Sequence, residues 1–290
     1  MIPSPARIAF FAWSTAIALL AALAAVRGEL DLRLLGMLFA AWYAAATIGV
    51  LFPGLQMYAP ILLRGPAGRR LVALTFDDGP HPVTTRRILA ALAETRHRAT
   101  FFVLGTKARR HPDVLREIHA AGHTLAVHGD RHDRWHSFRM PWSVRDDLVR
   151  AAHAVEEATG VRPRFFRPPL GHTSISTIPG VRAAGMIIVG WSIRGLDGLR
   201  RQTPESVVQR VAGGMADGDI VLLHDASEHD DFEPASVQAL PELLRFLDDR
   251  QWTSVGMDSL LADADSRRLH AGRVLFQRGS DYTPKTKEAT

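Results

Sequence analysis

The chain has 290 residues and a formal net charge of +5 at pH 7, long enough to bury a full core as one large domain with an appendage. It contains no cysteine, which excludes a disulfide framework, a thiolate metal site and a thiol nucleophile, so any metal must be held by His and carboxylate. The positive excess suits an anionic membrane surface or an anionic glycan. No Arg/Lys run alternates with aromatic residues, which argues against a nucleic-acid partner.

Two apolar runs open the chain, Ile8 to Val26 and Leu34 to Ala59, each free of charged residues and long enough to cross a hydrocarbon core of roughly 30 Å. Between them Arg27-Gly-Glu-Leu-Asp-Leu-Arg33 is short and charged, as the tip of a helical hairpin would be, and Trp42, Tyr43 and Tyr58 suit interfacial positions. Ala22-Leu-Ala24 resembles a signal-peptide cleavage site. The only positive charge before the first run is Arg7, however, and cleavage would leave the second run as a lone crossing. The expectation is an uncleaved membrane anchor of two transmembrane helices over residues 1–60, followed by a Pro/Gly/Arg linker at 61–70.

From Leu71 onward strand and helix patterns alternate. Strands are expected at Leu71–Phe76, Ala99–Gly105, Thr124–His128, Arg164–Pro168, Met186–Ser192, Asp219–His224 and Trp252–Met257. Helices are expected at Val83–Glu94, Pro112–Ala121, Ser143–Thr159, Ser174–Ala184, Pro204–Ala216 and Ser236–Asp249, with Gly122, Gly160 and Gly185 where C-cap glycines belong. This alternation predicts an α/β fold, either a (β/α) barrel or a doubly wound sheet, over residues 71–262, and a polar tail over 263–290.

The first strand ends in two adjacent carboxylates, Asp77 and Asp78, and a Gly-Pro turn signal. The other unusual residues also fall at strand C-termini: His128 and then His132, Arg167, Trp191 with Asp197 beyond it, and His224. Chance would scatter them over both edges of the sheet, whereas an α/β active site collects them on one. His128 and His132 are four apart, so a helical turn would aim both imidazoles at one point. Two His and one carboxylate leave open positions on a divalent ion, as hydrolysis requires. One Asp of the pair can then bind metal while the other takes a proton from water whose pKa the ion lowers from 15.7 towards roughly 7. His224 has the ordinary pKa of an acid for the leaving amine, and Arg167 is placed to steady the base. Asp130 and Asp133 read as outer-layer or surface partners of Arg131 and Arg134.

These motifs resemble those of the polysaccharide deacetylases, the carbohydrate esterases of the nodulation type. The resemblance lies in Thr75-Phe-Asp-Asp-Gly-Pro80, His128-x-x-x-His132, Arg167-Pro-Pro-x-Gly171, Trp191-Ser with Asp197, and Leu222-Leu-His-Asp225, and covers roughly Arg70 to Leu261. It implies a distorted seven-stranded (β/α) barrel that removes an N-acetyl or O-acetyl group from a glycan. Asp77 would be the general base, with Asp78, His128 and His132 on Zn²⁺, or on Co²⁺ or Ni²⁺. Arg167 would orient the base, Asp197 would tune His224 as the acid, and a backbone N–H near Pro169-Leu170-Gly171 would hold the oxyanion. Pro168, Pro169, Leu170, Gly171, Trp191, Arg194 and Leu222 would line the substrate cleft.

Three positions depart from the family pattern: Arg194 and Gly198 stand where Asp and Trp are usual, and Gly129 where Ser or Thr is. The first two open and recharge the wall beside His224, and an Arg there suits a phosphate or carboxylate. With the anchor, this makes a lipid-linked or anionic sugar an alternative to a neutral polymer. Other readings are a hydrolase of a non-sugar N-acyl amide and a catalytically inactive glycan-binding barrel. The Arg count (Arg7, Arg64, Arg69 and Arg70 against Arg27 and Arg33) leans weakly towards a cytoplasmic barrel, whereas the family's polymer substrates favour the outer face of the cell membrane.

Overall fold

The computed structural model describes residues 3–28 and 31–264. All but the first two positions of the expected polar tail, 263–290, lie outside the described residues. The two apolar runs form helices α1 (Pro5–Arg27) and α2 (Leu32–Leu51). Ser4 caps α1 through its side chain, Gly28 closes it in the left-handed conformation (φ 70°), and Asp31 accepts from Arg33 N and Leu34 N to start α2. Both helices are long and apolar enough to cross a membrane, with mean hydropathy 2.1 and 1.9, and most of their side chains are exposed. Trp42 joins them by stacking on Phe10 and by donating to Ser14 Oγ at 2.8 Å. Tyr58, expected at an interface, donates instead to the Ala46 carbonyl.

The barrel follows as β1 (Leu71–Asp77), α3 (Thr84–Ala93), β2 (Ala99–Val103), α4 (Gly105–Arg110), α5 (Pro112–Ala120), β3 (Thr124–Val127), α6 (Pro141–Thr159), β4 (Phe165–Phe166) and α7 (Thr177–Ala183). It continues with β5 (Ile187–Ile188), β6 (Ile193–Arg194), α8 (Pro204–Gly214), β7 (Ile220–His224), α9 (Ser236–Asp249), β8 (Thr253–Ser254) and α10 (Met257–Ala264). The strands pair in parallel in the order β5-β4-β3-β2-β1-β7-β6. Short β8 pairs with the start of β1, and its Ser254 carbonyl accepts from Arg98 N just before β2. The seven ordered strands make the curled barrel, with helices outside.

The central strands β1 and β2 are buried along both faces, which is why they read as unbroken apolar runs rather than alternating ones. Outside them, helices turn one stripe inward. In α6 this is Val144, Leu148, Ala151, Ala152 and Val155; Pro141 opens that helix and Gly160 (φ 74°) ends it.

The second apolar run is helical only to Leu51, and its end, expected in the anchor, packs with the start of the expected linker as part of the barrel. Met57, Tyr58, Ala59 and Ile61 are buried in the cluster that contains Phe166, Val181 and Ile188. Leu62 N donates to Ile188 O and Gly190 N donates to Leu62 O, both at 2.9 Å, while Gly65 N donates to Gly218 O at 2.7 Å. Arg64 also reaches the buried Asp219 carboxylate at 2.9 Å. Residues 61–65 therefore occupy the seam between β5 and β7, and the unpaired edge of β5 accounts for their recruitment. Gly190 permits it: a Cβ there would meet Leu63 at 2.7 Å.

Candidate active site

Strand β1 delivers Asp77 in extended backbone, and the chain then turns sharply, with Asp78 at φ 73°. The left-handed region is one that Asp tolerates better than most residues, and the turn sends the two carboxylates to different partners. Gly79 has no substitute here, since a Cβ would lie 2.0 Å from Asp225 Oδ2. Asp225 is buried beneath the turn, where its N–H donates to Asp77 O at 3.2 Å and its carboxylate accepts from Thr85 Oγ1 at 2.5 Å. Burial pushes its carboxyl up to about 7, against the opposing pull of Thr85 and Lys107.

Arg167 is fully buried and holds Asp77. Its Nη1 donates to Asp77 Oδ1 at 2.7 Å and to Thr75 Oγ1 at 2.8 Å, and Nη2 donates to Gly190 O at 2.9 Å. The guanidinium carbon lies 4.1 Å from the Phe102 ring centroid. A charge so desolvated is tolerable only with this pairing; removing one partner of a buried pair costs about 3–5 kcal/mol.

Asp78 meets the histidines. Its buried Oδ1 accepts no hydrogen bond and lies 3.6 Å from His128 Nε2 and 3.9 Å from His132 Nε2. One ligand atom from each of the three residues falls within 4.8 Å of the others. Nδ1 of His128 is 2.8 Å from the Arg167 carbonyl oxygen; donating there, it leaves the Nε2 lone pair towards Asp78. Burial lowers the His128 pKa, outweighing the pull of Asp77 and Asp78, so the imidazole is neutral, as a ligand must be. The expected helical turn between the two histidines is absent. The chain is a loop there, and Gly129 (φ 95°) supplies the bend, a conformation that a Ser or Thr would adopt only under strain.

Across the cleft, His224 pairs with Asp77 in the β1–β7 register. Its N–H donates to Asp197 Oδ2 at 2.7 Å and its Nδ1 lies 3.2 Å from Asp197 Oδ1, which leaves Nε2 for a substrate. Burial pulls its pKa down, but Asp197, with smaller help from Asp78 and Asp77, outweighs this and pushes it up to about 9. Gly198 lies against the ring; a Cβ there would be 3.1 Å from Cε1 and Nδ1.

The cleft wall is built by the turn after β4. Leu170 is half exposed at φ 56°, and Gly171 (φ 74°) packs so closely that a Cβ would meet Trp191 at 2.5 Å. Pro168 and Pro169 have no N–H, and Gly171 N–H donates to Pro168 O at 2.8 Å, so the Leu170 N–H is the one left in this turn for an oxyanion. Exposed Arg194 lies 6.0 Å from the Trp191 ring, whereas Leu222 is buried within β7.

Residues 64–189 match the family model for polysaccharide deacetylase. The chain is 36% identical over 160 residues to a chitooligosaccharide deacetylase of Bradyrhizobium sp., an alignment that covers 55% of this chain and 72% of that protein. The chain belongs to the polysaccharide deacetylase family. Among solved structures of this family, peptidoglycan deacetylase PdaC from Bacillus subtilis superposes with a TM-score of 0.61 at 26% identity, over 72% of this chain and 98% of that one. A family 4 acetyl xylan esterase from Clostridium thermocellum, in complex with a cobalt ion, gives 0.61 at 28% identity over 66% and 90% of the two chains.

The deacetylase family implies a divalent metal, and the residues here fit one. An unpartnered buried carboxylate oxygen facing two imidazole nitrogens is an O,N,N donor set for Zn²⁺ or a related ion. Asp130 and Asp133 do not belong to that set, nor do they pair with Arg131 and Arg134 as expected. Asp130 is buried against Arg109 at 2.7 Å, because Gly105 lets α4 approach it closely, and Asp133 caps Trp135 N at 2.9 Å and faces Arg139. Three contributors have no local signature in the sequence: Lys107, Thr85 and Glu228. Each acts on a residue far along the chain, and no motif spacing marks it.

Proposed function

We propose that this protein is a metal-dependent deacetylase that hydrolyses the N-acetyl group of an amino sugar in a cell-envelope glycan. The observation that carries this reading is the convergence of three separately supported groups on one sheet edge: Asp77 on Arg167, Asp78 with His128 and His132, and His224 on Asp197. Held by Asp78, His128 and His132, a divalent ion would act as a Lewis acid on the acetyl carbonyl and lower the pKa of the attacking water from 15.7 towards roughly 7. Asp77, fixed by Arg167, accepts the proton of that water. The Leu170 N–H faces the charge that develops on the acyl oxygen. As the C–N bond breaks, His224 gives its Nε2 proton to the departing amine, and Asp197 stabilises the imidazolium before transfer. Acetate and a free amino sugar leave.

The names of the Bradyrhizobium and B. subtilis relatives support an N-acetylated sugar, while that of the xylan esterase keeps O-acetyl as the alternative. The test is acetate release from chitooligosaccharide, peptidoglycan fragments, acetyl xylan and a simple N-acyl amide, with and without a chelator. Release from an N-acetylated glycan that stops on chelation and returns with Zn²⁺ or Co²⁺ supports the proposal. Cleavage of the amide alone favours a non-sugar hydrolase, and no release from any of them by metal-loaded protein favours an inactive glycan-binding barrel.

In the same reading α1 and α2, within the expected 1–60 anchor, hold the catalytic unit, 71–262 with residues 57–65 packed on it, to the membrane as a two-span hairpin, with the barrel outside. Reporter fusions at residue 1 and after Thr290 should report the same side and a fusion near Glu29 the other. Termini on opposite sides overturn the hairpin. A cytoplasmic barrel moves the substrate to a lipid-linked sugar, for which exposed Arg194 near Trp191 offers a phosphate contact.

A further inference from the structure

We infer that Glu228, on the loop after β7, is a positioning residue that holds the His132 imidazole with Nε2 towards Asp78. The inference rests on the reading of Asp78, His128 and His132 as a metal site. The two histidines are supported differently at their outer nitrogens. Nδ1 of His128 has a backbone acceptor, the Arg167 carbonyl at 2.8 Å. Nδ1 of His132 is buried without a hydrogen bond and lies 3.4 Å from Glu228 Oε2. A neutral histidine that presents its Nε2 lone pair carries its proton on Nδ1, and that proton requires an acceptor. Glu228 is the carboxylate in reach. A shift of about 0.5 Å makes the contact a charge-assisted hydrogen bond of ordinary length.

Glu228 is held in place from two sides. Its Oε2 accepts from Arg134 Nη2 at 2.7 Å, and only 22% of its side chain is exposed. Beneath it the loop is fixed by Lys107 of α4, a buried lysine whose Nζ donates to Ser227 O at 2.8 Å and to Asp230 Oδ1 at 2.5 Å. Ser227 Oγ in turn lies 3.0 Å from both the carboxylate and the N–H of Asp231. A buried ammonium is tolerated only where it is paired, and this one spends its donors on the residues that flank Glu228. The β7 loop thus reaches across the cleft to brace a ligand carried by the β3 loop. Carboxylate–histidine–metal triads are built this way, and they fix both the tautomer and the orientation of the ring.

The test is metal affinity in the full-length protein, stripped of metal and titrated with Zn²⁺ against a chromophoric chelator. Glu228→Ala should weaken Zn²⁺ binding by about 10- to 100-fold. Glu228→Gln, whose amide oxygen still accepts the Nδ1 proton, should lose less. The Co²⁺-loaded Ala variant should differ from wild type in its visible spectrum, because the ring is no longer held. Unchanged Zn²⁺ affinity in both variants overturns the inference. So does a lower melting temperature of metal-free Glu228→Ala with affinity intact, which marks a merely structural role. Wild-type protein that binds neither Zn²⁺ nor Co²⁺ removes the metal site itself, and the inference with it.

Discussion

At the ends of β3 and β7 two histidines face the same pair of carboxylates and are held in opposite states of charge. His128 is more buried and has a backbone carbonyl on Nδ1, so desolvation wins and the ring is neutral. His224 is also pulled down by burial, but the fully buried Asp197 bonds both its ring and its backbone and pushes it up to about 9. His128 Nε2 lies 3.9 Å from Asp77 and 3.6 Å from Asp78 and the ring is neutral all the same, so proximity to those two acids does not set the charge; the private partner does. One wall of the cleft offers lone pairs and the other offers a proton, a division of labour that hydrolysis of an amide requires.

The strongest way to break this contrast is to erase the neutral wall. His128→Ala should reduce deacetylation to background and strip metal from the purified protein, as read by elemental analysis. Retained metal with full turnover would assign the ligand elsewhere. Erasing the charged wall should act differently: His224→Ala should cost about 10²- to 10⁴-fold in kcat, the usual worth of a positioned proton donor, with metal content unchanged.

The contrast is sharpened by leaving the ring and removing its partner. In Asp197→Asn the basic limb of the pH–rate profile should move down from near 9 towards the ordinary histidine value of about 6.5. Stability follows the same sign. A pKa raised on folding contributes stability that is complete below about pH 6.5 and is lost as pH rises through about 9. Thermal melting between those limits should therefore fall with pH more steeply in wild type than in the variant; equal slopes would mean that Asp197 does not hold the proton. The smallest effect is expected of Gly198→Ala, whose Cβ would sit 3.1 Å from the His224 ring. Overpacking of that size, about 1 kcal/mol, should lower kcat/KM by no more than about tenfold, with metal affinity unmoved.

The central strands were legible in the sequence because a parallel strand buried on both faces leaves an unbroken apolar run, as β1, β2 and β7 do. The outer strands were not. Met186–Ser192 was expected as one strand, yet only Ile187–Ile188 pairs with β4, and the chain crosses the seam at Gly190 before Ile193–Arg194 joins β7. Gly105 was expected to end a strand and instead starts α4, where a Cβ would meet the backbone of Ala151 at 2.8 Å. In the site, residues that stand at strand ends announced themselves by being polar after an apolar run. Lys107 did not, because a lone lysine between an expected strand and an expected helix is ordinarily solvated, and only the fold brings Ser227 and Asp230 to it. The convergence of His128 and His132 was anticipated through a helical turn that the chain does not make; a glycine bend produces it instead.

The segment at 61–65 has a preparative consequence. A soluble fragment cut at Leu71, where the first strand begins, would leave the Ile188 carbonyl and the Gly190 N–H at the rim of β5 without the Leu62 backbone they bond, and would deprive Asp219 of its Arg64 partner. Exposed edges of that kind recruit other chains. A cut between α2 and Met57 keeps the seam filled, but it bares the faces of Met57 and Tyr58 that pack on α2, where a Cβ at Gly49 would lie 2.4 Å from the Met57 sulfur. The fragment to express therefore begins just after Leu55, which retains Met57 and Tyr58 in the cluster with Phe166, Val181 and Ile188.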